Sequence, residues 1–153
     1  SRSRLPLVVV QGGTFIMNGG TISGNAAVDG GGVSVKSGGT FTMNNGTISG
    51  NATNSGGGVW VKGGTFIMNG GIISGNSASG YGGGVYVDSS STFIKSGTGG
   101  VIYGSNAPEG QANKARSDIG GHAVYSNYRI RNTTVWGATA LDYTKKNASK
   151  DWQ

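Results

Sequence analysis

GGTFIMNGGTISGN, residues Gly12 to Asn25, holds no charged side chain and no thiol, yet the chain repeats it. It returns as GGTFTMNNGTISGN from Gly38 to Asn51 and as GGTFIMNGGIISGN from Gly63 to Asn76. A worn fourth copy, STFIKSGTGGVIYGSN, runs from Ser91 to Asn106. Between the copies lies a second phrase: GGGVSV at Gly30–Val35, GGGVWV at Gly56–Val61 and GGGVYV at Gly82–Val87. The aligned threonines Thr14, Thr40, Thr65 and Thr92 are 26, 25 and 27 residues apart. Self-similarity at such a period marks a repeat architecture.

Each unit carries three β-favouring runs, VxV, TFxMN and TIS. All are too short and too closely bounded by glycine to be helices. Three strands and three turns per unit predict one coil of a parallel β-solenoid, with coils stacked about 4.8 Å apart. Alternation along a strand then assigns the faces. The inward columns are Val8, Val33, Val59, Val85; Phe15, Phe41, Phe66, Phe93; Met17, Met43, Met68; and Ile22, Ile48, Ile73, Ile102. One coil cannot bury its apolar face alone, so stacking makes the core. Two asparagine columns, Asn18, Asn44, Asn69 and Asn25, Asn51, Asn76, Asn106, suit amide ladders at the corners, where glycine supplies the conformations that a Cβ penalises.

The chain of 153 residues therefore reads as one all-β domain: a parallel β-helix of about four to five coils with a C-terminal cap. Repeat coils are expected over 8–126, an insertion over 107–119 (APEGQANKARSDI), and the cap over 127–153. GHAVYS, from Gly121 to Ser126, aligns with GGGVYV and puts Val124 in the Val85 column. The N-terminal coil, from Val8, shows no comparable cap. Its Val8–Val10 edge is expected to pair with another copy or with further coils.

The bulk numbers exclude several classes. There is no cysteine, hence no disulfide framework, thiol nucleophile or cysteine zinc site. The net charge of +6 divides evenly on either side of Ala107, which gives no basic tract of the kind nucleic acid needs. No run approaches the roughly 20 apolar residues of a membrane span. A chain opening SRSR is expected to have been excised or processed, and an export signal could have preceded it.

FIMN, FTMN and FIMN supply a literal FxxN at Phe15, Phe41 and Phe66, and ISGNAAVDGGGV (Ile22 to Val33) places an asparagine turn ahead of a Gly-Gly-small-aliphatic phrase. Together these resemble the GGA[ILV] and FxxN repeats of the polymorphic membrane proteins, bacterial autotransporter adhesins. GGGV departs from that pattern in carrying Gly for Ala. The resemblance implies a right-handed parallel β-helix, secreted or displayed at a cell surface, adhesin-like and without enzymatic activity.

An enzymatic alternative, a polysaccharide lyase or hydrolase, would need paired carboxylates about 5–10 Å apart or a calcium-binding acid cluster. Asp29 and Asp88 are two coils apart in register, and the single histidine, His122, reads as a solvent-facing substitution in a degraded GGG corner. No catalytic, metal or cofactor site is expected. The partner face is expected at the outward residues of VxV: Ser34, then Trp60, Tyr86 and Tyr125 as an aromatic column, flanked by Lys62. Such a face suits a glycan or a protein of a host or neighbouring cell. A third reading, ice binding, would use the Thr-rich column Thr14, Thr40, Thr65, Thr92.

Overall fold

Strands form wherever a β-branched or aromatic run lies between glycine corners, and each pairs with its equivalent one coil away. The computed structural model describes residues 5–95, 100–117 and 120–126, together with the short strand at 147–148. Sheet 1 collects the VxV phrases: β1 (Val8–Val10), β4 (Val33–Val35), β8 (Val59–Val61), β12 (Val85–Val87) and β15 (Val124–Ser126), all parallel. Sheet 2 stacks β2 (Thr14–Met17), β5 (Thr40–Met43), β9 (Thr65–Met68) and β13 (Thr92–Lys95). Sheet 3 stacks β3 (Thr21–Ser23), β6 (Thr47–Ser49), β10 (Ile72–Ser74) and β14 (Val101–Ile102). A small fourth ladder joins β7 (Ala52–Thr53) to β11 (Ser77–Ala78). This is a parallel β-solenoid of about four turns, with β15 beginning a further one.

The columns fall as the period requires: Val8 on Val33, Phe15 on Phe41, Met17 on Met43 and Ile22 on Ile48, each continued through later coils. Phe41, Phe66 and Phe93 are buried, and their rings stack at 5.0 and 4.9 Å with planes within 6°. Such pairs contribute about 0.5–1.5 kcal/mol each beyond the area they bury. Phe15, at the end of the stack, is only partly buried and tilts by 50° against Phe41.

The glycines have two distinct reasons. Gly46 and Gly71 lie at φ +103° and +89°, and a Cβ on either would meet the tip of Met17 or Met43 within 2.7 Å. Left-handed backbone and the methionine below both require glycine there. At the second position of GGG the constraint is the next coil: a Cβ on Gly57 would sit 2.2 Å from the Gly83 oxygen. His122 occupies this position in the coil of β15, on which no further coil stacks among the described residues.

The asparagines hold the coils together. Asn51, Asn76 and Asn113 are buried. The Asn51 side-chain amide donates to Asn76 Oδ1 (2.9 Å) and to the Ile22 carbonyl (3.1 Å), while its backbone N–H also donates to Asn76 Oδ1. The pattern repeats from Asn76 to Asn113. Each buried amide thus meets its hydrogen-bonding demand inside the core. The fourth member is Asn113, not the Asn106 expected from spacing; Asn106 is exposed. Residues 104–112 stand where the preceding coil has Gly75 alone, so the register resumes only at Asn113 and Lys114, which bridges to Ser77. A second, exposed ladder runs from Asn69 through Asn44 to Asn18.

Two inward strand positions among the described residues break the apolar rule: Ser126, which pairs with Val87, and Lys95. Lys95 pairs with Met68 and is 1% exposed, ending the methionine column on an amine. Burial lowers its pKa to about 8. At the C-terminal end, β16 (Asn147–Ala148) runs antiparallel against β15. The rest of the cap expected over 127–153 lies outside the described residues.

Candidate partner-binding face

The outer side of sheet 1 brings the expected residues into one line. Trp60 pairs with Tyr86, and Tyr86 with Tyr125. The Tyr86 and Tyr125 rings stack at 5.5 Å and 16°. Lys62, two residues along β8 from Trp60 and so on the same side of the strand, holds its ammonium 5.8 Å from the Trp60 ring centroid.

The face is less open than alternation alone predicts. Ser34, expected outward, is buried, and Trp60, Tyr86 and Tyr125 are half-buried. The cause is the glycine corner, which passes back over the strand it precedes. A Cβ on Gly56 would lie 2.7 Å from the Trp60 Cβ, and one on Gly82 would lie 2.9 Å from the Tyr86 Cα. The column is therefore framed by backbone, with ring edges and faces left accessible between the corners.

Two groups join the site through residues that spacing did not place on it, Tyr81 in the first and Leu5, Pro6, Val28 and Asp29 in the second. Tyr81, on the loop before β12 and partly exposed, packs on Tyr125 at 4.6 Å and 29°. Burial, with a smaller contribution from Tyr81, raises the Tyr125 pKa above its ordinary value. The second group forms a recess of about 200 Å³ beside Trp60, lined also by Leu5, Pro6, Val28, Asp29, Ser34 and Lys36. Its walls are mainly apolar, and among the described residues Asp29 and Lys36 supply the charge. Leu5 and Pro6 precede the first repeat, and Val28–Asp29 belongs to the loop before GGG. Sequence periodicity carries no information about where such flanking segments fold.

The remaining polar candidates lie apart from this face or are already engaged. The His122 Nδ1 accepts the Ala115 N–H at 2.9 Å, so the ring is half-buried and ties 104–117 to the last coil rather than facing solvent. An Asp88 oxygen accepts the Ser89 N–H at 2.7 Å, closing the turn after β12. Among the described residues, no three His, Cys, Asp or Glu side chains gather at one place. No described helix is long and apolar enough to cross a membrane.

Compared with family models, with characterised proteins and with solved structures, the chain matches none. The resemblance to the GGA[ILV]/FxxN repeats thus stands on the motifs themselves.

Proposed function

We propose that this β-solenoid is an exported, non-enzymatic module displayed at a cell surface, where it acts as an adhesin-like binding protein. Its partner is a glycan or a protein of a host or neighbouring cell, taken on the outer face of sheet 1. The observation that carries the reading is the position of Trp60. Its indole lies outside the core, beside the recess formed with Leu5, Pro6 and Val28, under the Lys62 ammonium, and in register with Tyr86 and Tyr125.

Flat aromatic surface beside charged groups suits the apolar faces and hydroxyls of a sugar, and equally a partner's aromatic or aliphatic side chain. A recess of about 200 Å³ is smaller than a typical drug-sized site, so one sugar ring or one protein side chain is the scale of what it holds. Among the described residues, Asp29 is the only carboxylate lining it. Glycoside hydrolysis needs a second acid placed across the scissile bond, which favours binding over turnover. The FxxN and GGGV phrases support export and display by their resemblance to autotransporter repeats.

Trp60→Ala tests the reading. Binding to glycans on an array, or to intact cells, should weaken roughly thirtyfold, the scale of a lost aromatic anchor worth about 2 kcal/mol. Unchanged binding by the Trp60→Ala protein would overturn it.

A further inference from the structure

The first coil puts the edge strands of all three main sheets, β1, β2 and β3, on one side of the molecule. In sheet 1 the Val8 N–H and the Val10 carbonyl bond to the second coil. Alternation along a parallel ladder then turns the N–H and C=O of Val9 toward the open side. Gly13 and Met17 bond to the second coil in the same way, which turns Thr14 and Ile16 outward; Gly20 does so beside β3, turning Thr21 and Ser23 outward. Both asparagine ladders also stop here. Among the described residues, the Asn18 amide N–H₂ finds no acceptor and Asn25 Oδ1 finds no donor.

Natural sheets protect such edges with charge, proline or a covering segment. Residues 8–25 contain no charged side chain and no proline. Apolar exposure concentrates here instead: Leu5, Leu7, Val9, Ile16 and Val28 are exposed, whereas Ile72 and Tyr81 are the remaining large apolar side chains so exposed among the described residues. An edge that is uncharged, apolar-rimmed and rich in unpaired backbone groups is built to be covered.

We propose that a second copy of this chain covers it, the two molecules meeting through their first coils about a two-fold axis perpendicular to the solenoid. Rotation about such an axis reverses the sense of the coil. β1 therefore meets the other copy's β1 antiparallel with Val9 at the centre, and β2 meets the other copy's β3. The corner bearing Asn18 lies between β2 and β3 and returns to itself under the same rotation. Two Asn18 amides can then exchange N–H···O bonds, using the donor that the ladder leaves over. Charge favours this face for self-pairing: the chain carries +6, and the three strands of the first coil, within residues 8–25, hold none of it. Sheet 1 favours the two-fold arrangement over a head-to-tail stack. At the far end of sheet 1, β16 already occupies the edge of β15, so an incoming β1 finds no open partner there. An isologous contact closes on itself and stops at a dimer.

The absence of native cysteine gives a direct test. In an antiparallel pair centred on Val9 the two Cα atoms lie about 5.5 Å apart, within disulfide reach. Val9→Cys should oxidise to a covalent dimer at least about tenfold faster than Glu109→Cys, an exposed control on the 104–112 segment, because docking raises the local thiol concentration. Sedimentation of the unmodified chain from micromolar to near-millimolar concentration should show a monomer–dimer equilibrium. Val9→Lys, which sets two ammonium groups opposite each other, should weaken it at least about tenfold with an unchanged far-ultraviolet spectrum. Monomers throughout the range, equal oxidation of the two cysteine variants, or a dimer indifferent to Val9→Lys would each overturn the proposal.

Discussion

Two aromatic columns climb this solenoid, and they obey different rules. Inside, Phe41, Phe66 and Phe93 are one residue type, buried and stacked at 5.0 and 4.9 Å. Outside, the line Val9, Ser34, Trp60, Tyr86, Tyr125 changes at almost every step and ranges from fully buried to half-exposed. A closed interior fixes volume, so one side chain satisfies every coil. The outer line carries no such constraint, and its composition is free to answer to what lies against it. Identity along the inner column therefore speaks of packing, and the concentration of large rings at Trp60, Tyr81, Tyr86 and Tyr125 is what the proposed partner face rests on.

The comparison breaks most violently if a charge enters the inner column. Phe41→Asp buries a carboxylate between two rings with no partner in the column, and should leave no cooperative thermal transition and no β-sheet circular dichroism signal. A variant that melts like the parent would remove the inner column from the account. Next comes the polar thread running beside the column. Asn76→Leu removes the acceptor shared by the Asn51 side-chain and backbone N–H groups and the side-chain donor to the Ile48 carbonyl, and should cost about 2–4 kcal/mol by denaturant titration.

Lys95 sharpens the comparison because it is the inner position where packing and charge conflict. Burial lowers its pKa from 10.5 to about 8. Between those values the unfolded chain binds a proton that the folded chain does not, so stability should rise as pH climbs from about 8 toward 10.5. Below pH 8 the folded protein bears the full penalty of the buried ammonium, at most on the order of 3 kcal/mol. Lys95→Met should therefore raise stability at neutral pH and abolish the rise; a parent and variant with parallel stability–pH curves would contradict the assignment.

Much of this was legible in the sequence, for a physical reason. A solenoid converts period into vertical alignment, so equal spacing placed Val, Phe, Met and Ile in their columns and the corner glycines between them. Legibility failed wherever the period failed. Asn113 escaped because residues 104–112 displace it from the spacing that pointed to Asn106. Lys95 fell in register with Met68, but a lysine in an inward slot contradicts the usual preference for solvent. Ser34 and the recess depended on the path of the chain at Leu5–Pro6 and Val28–Gly30, which no repeat specifies. Trp60, Tyr86, Tyr125 and Lys62 were placed on one face by alternation, yet their framing by Gly56 and Gly82 appears only in three dimensions.

The smallest expected effect completes the most direct test. Phe66→Ala and Trp60→Ala each delete one ring from strand β9 or β8, one inward and one outward, and their melting temperatures can be compared in a single experiment. Phe66→Ala should cost about 3–5 kcal/mol and lower the melting temperature by many degrees. Trp60→Ala should cost less than about 1 kcal/mol and leave the melting temperature near that of the parent. Equal losses would show that the outer column is as structural as the inner one, and would contradict the division between a core that holds the solenoid and a face that serves a partner.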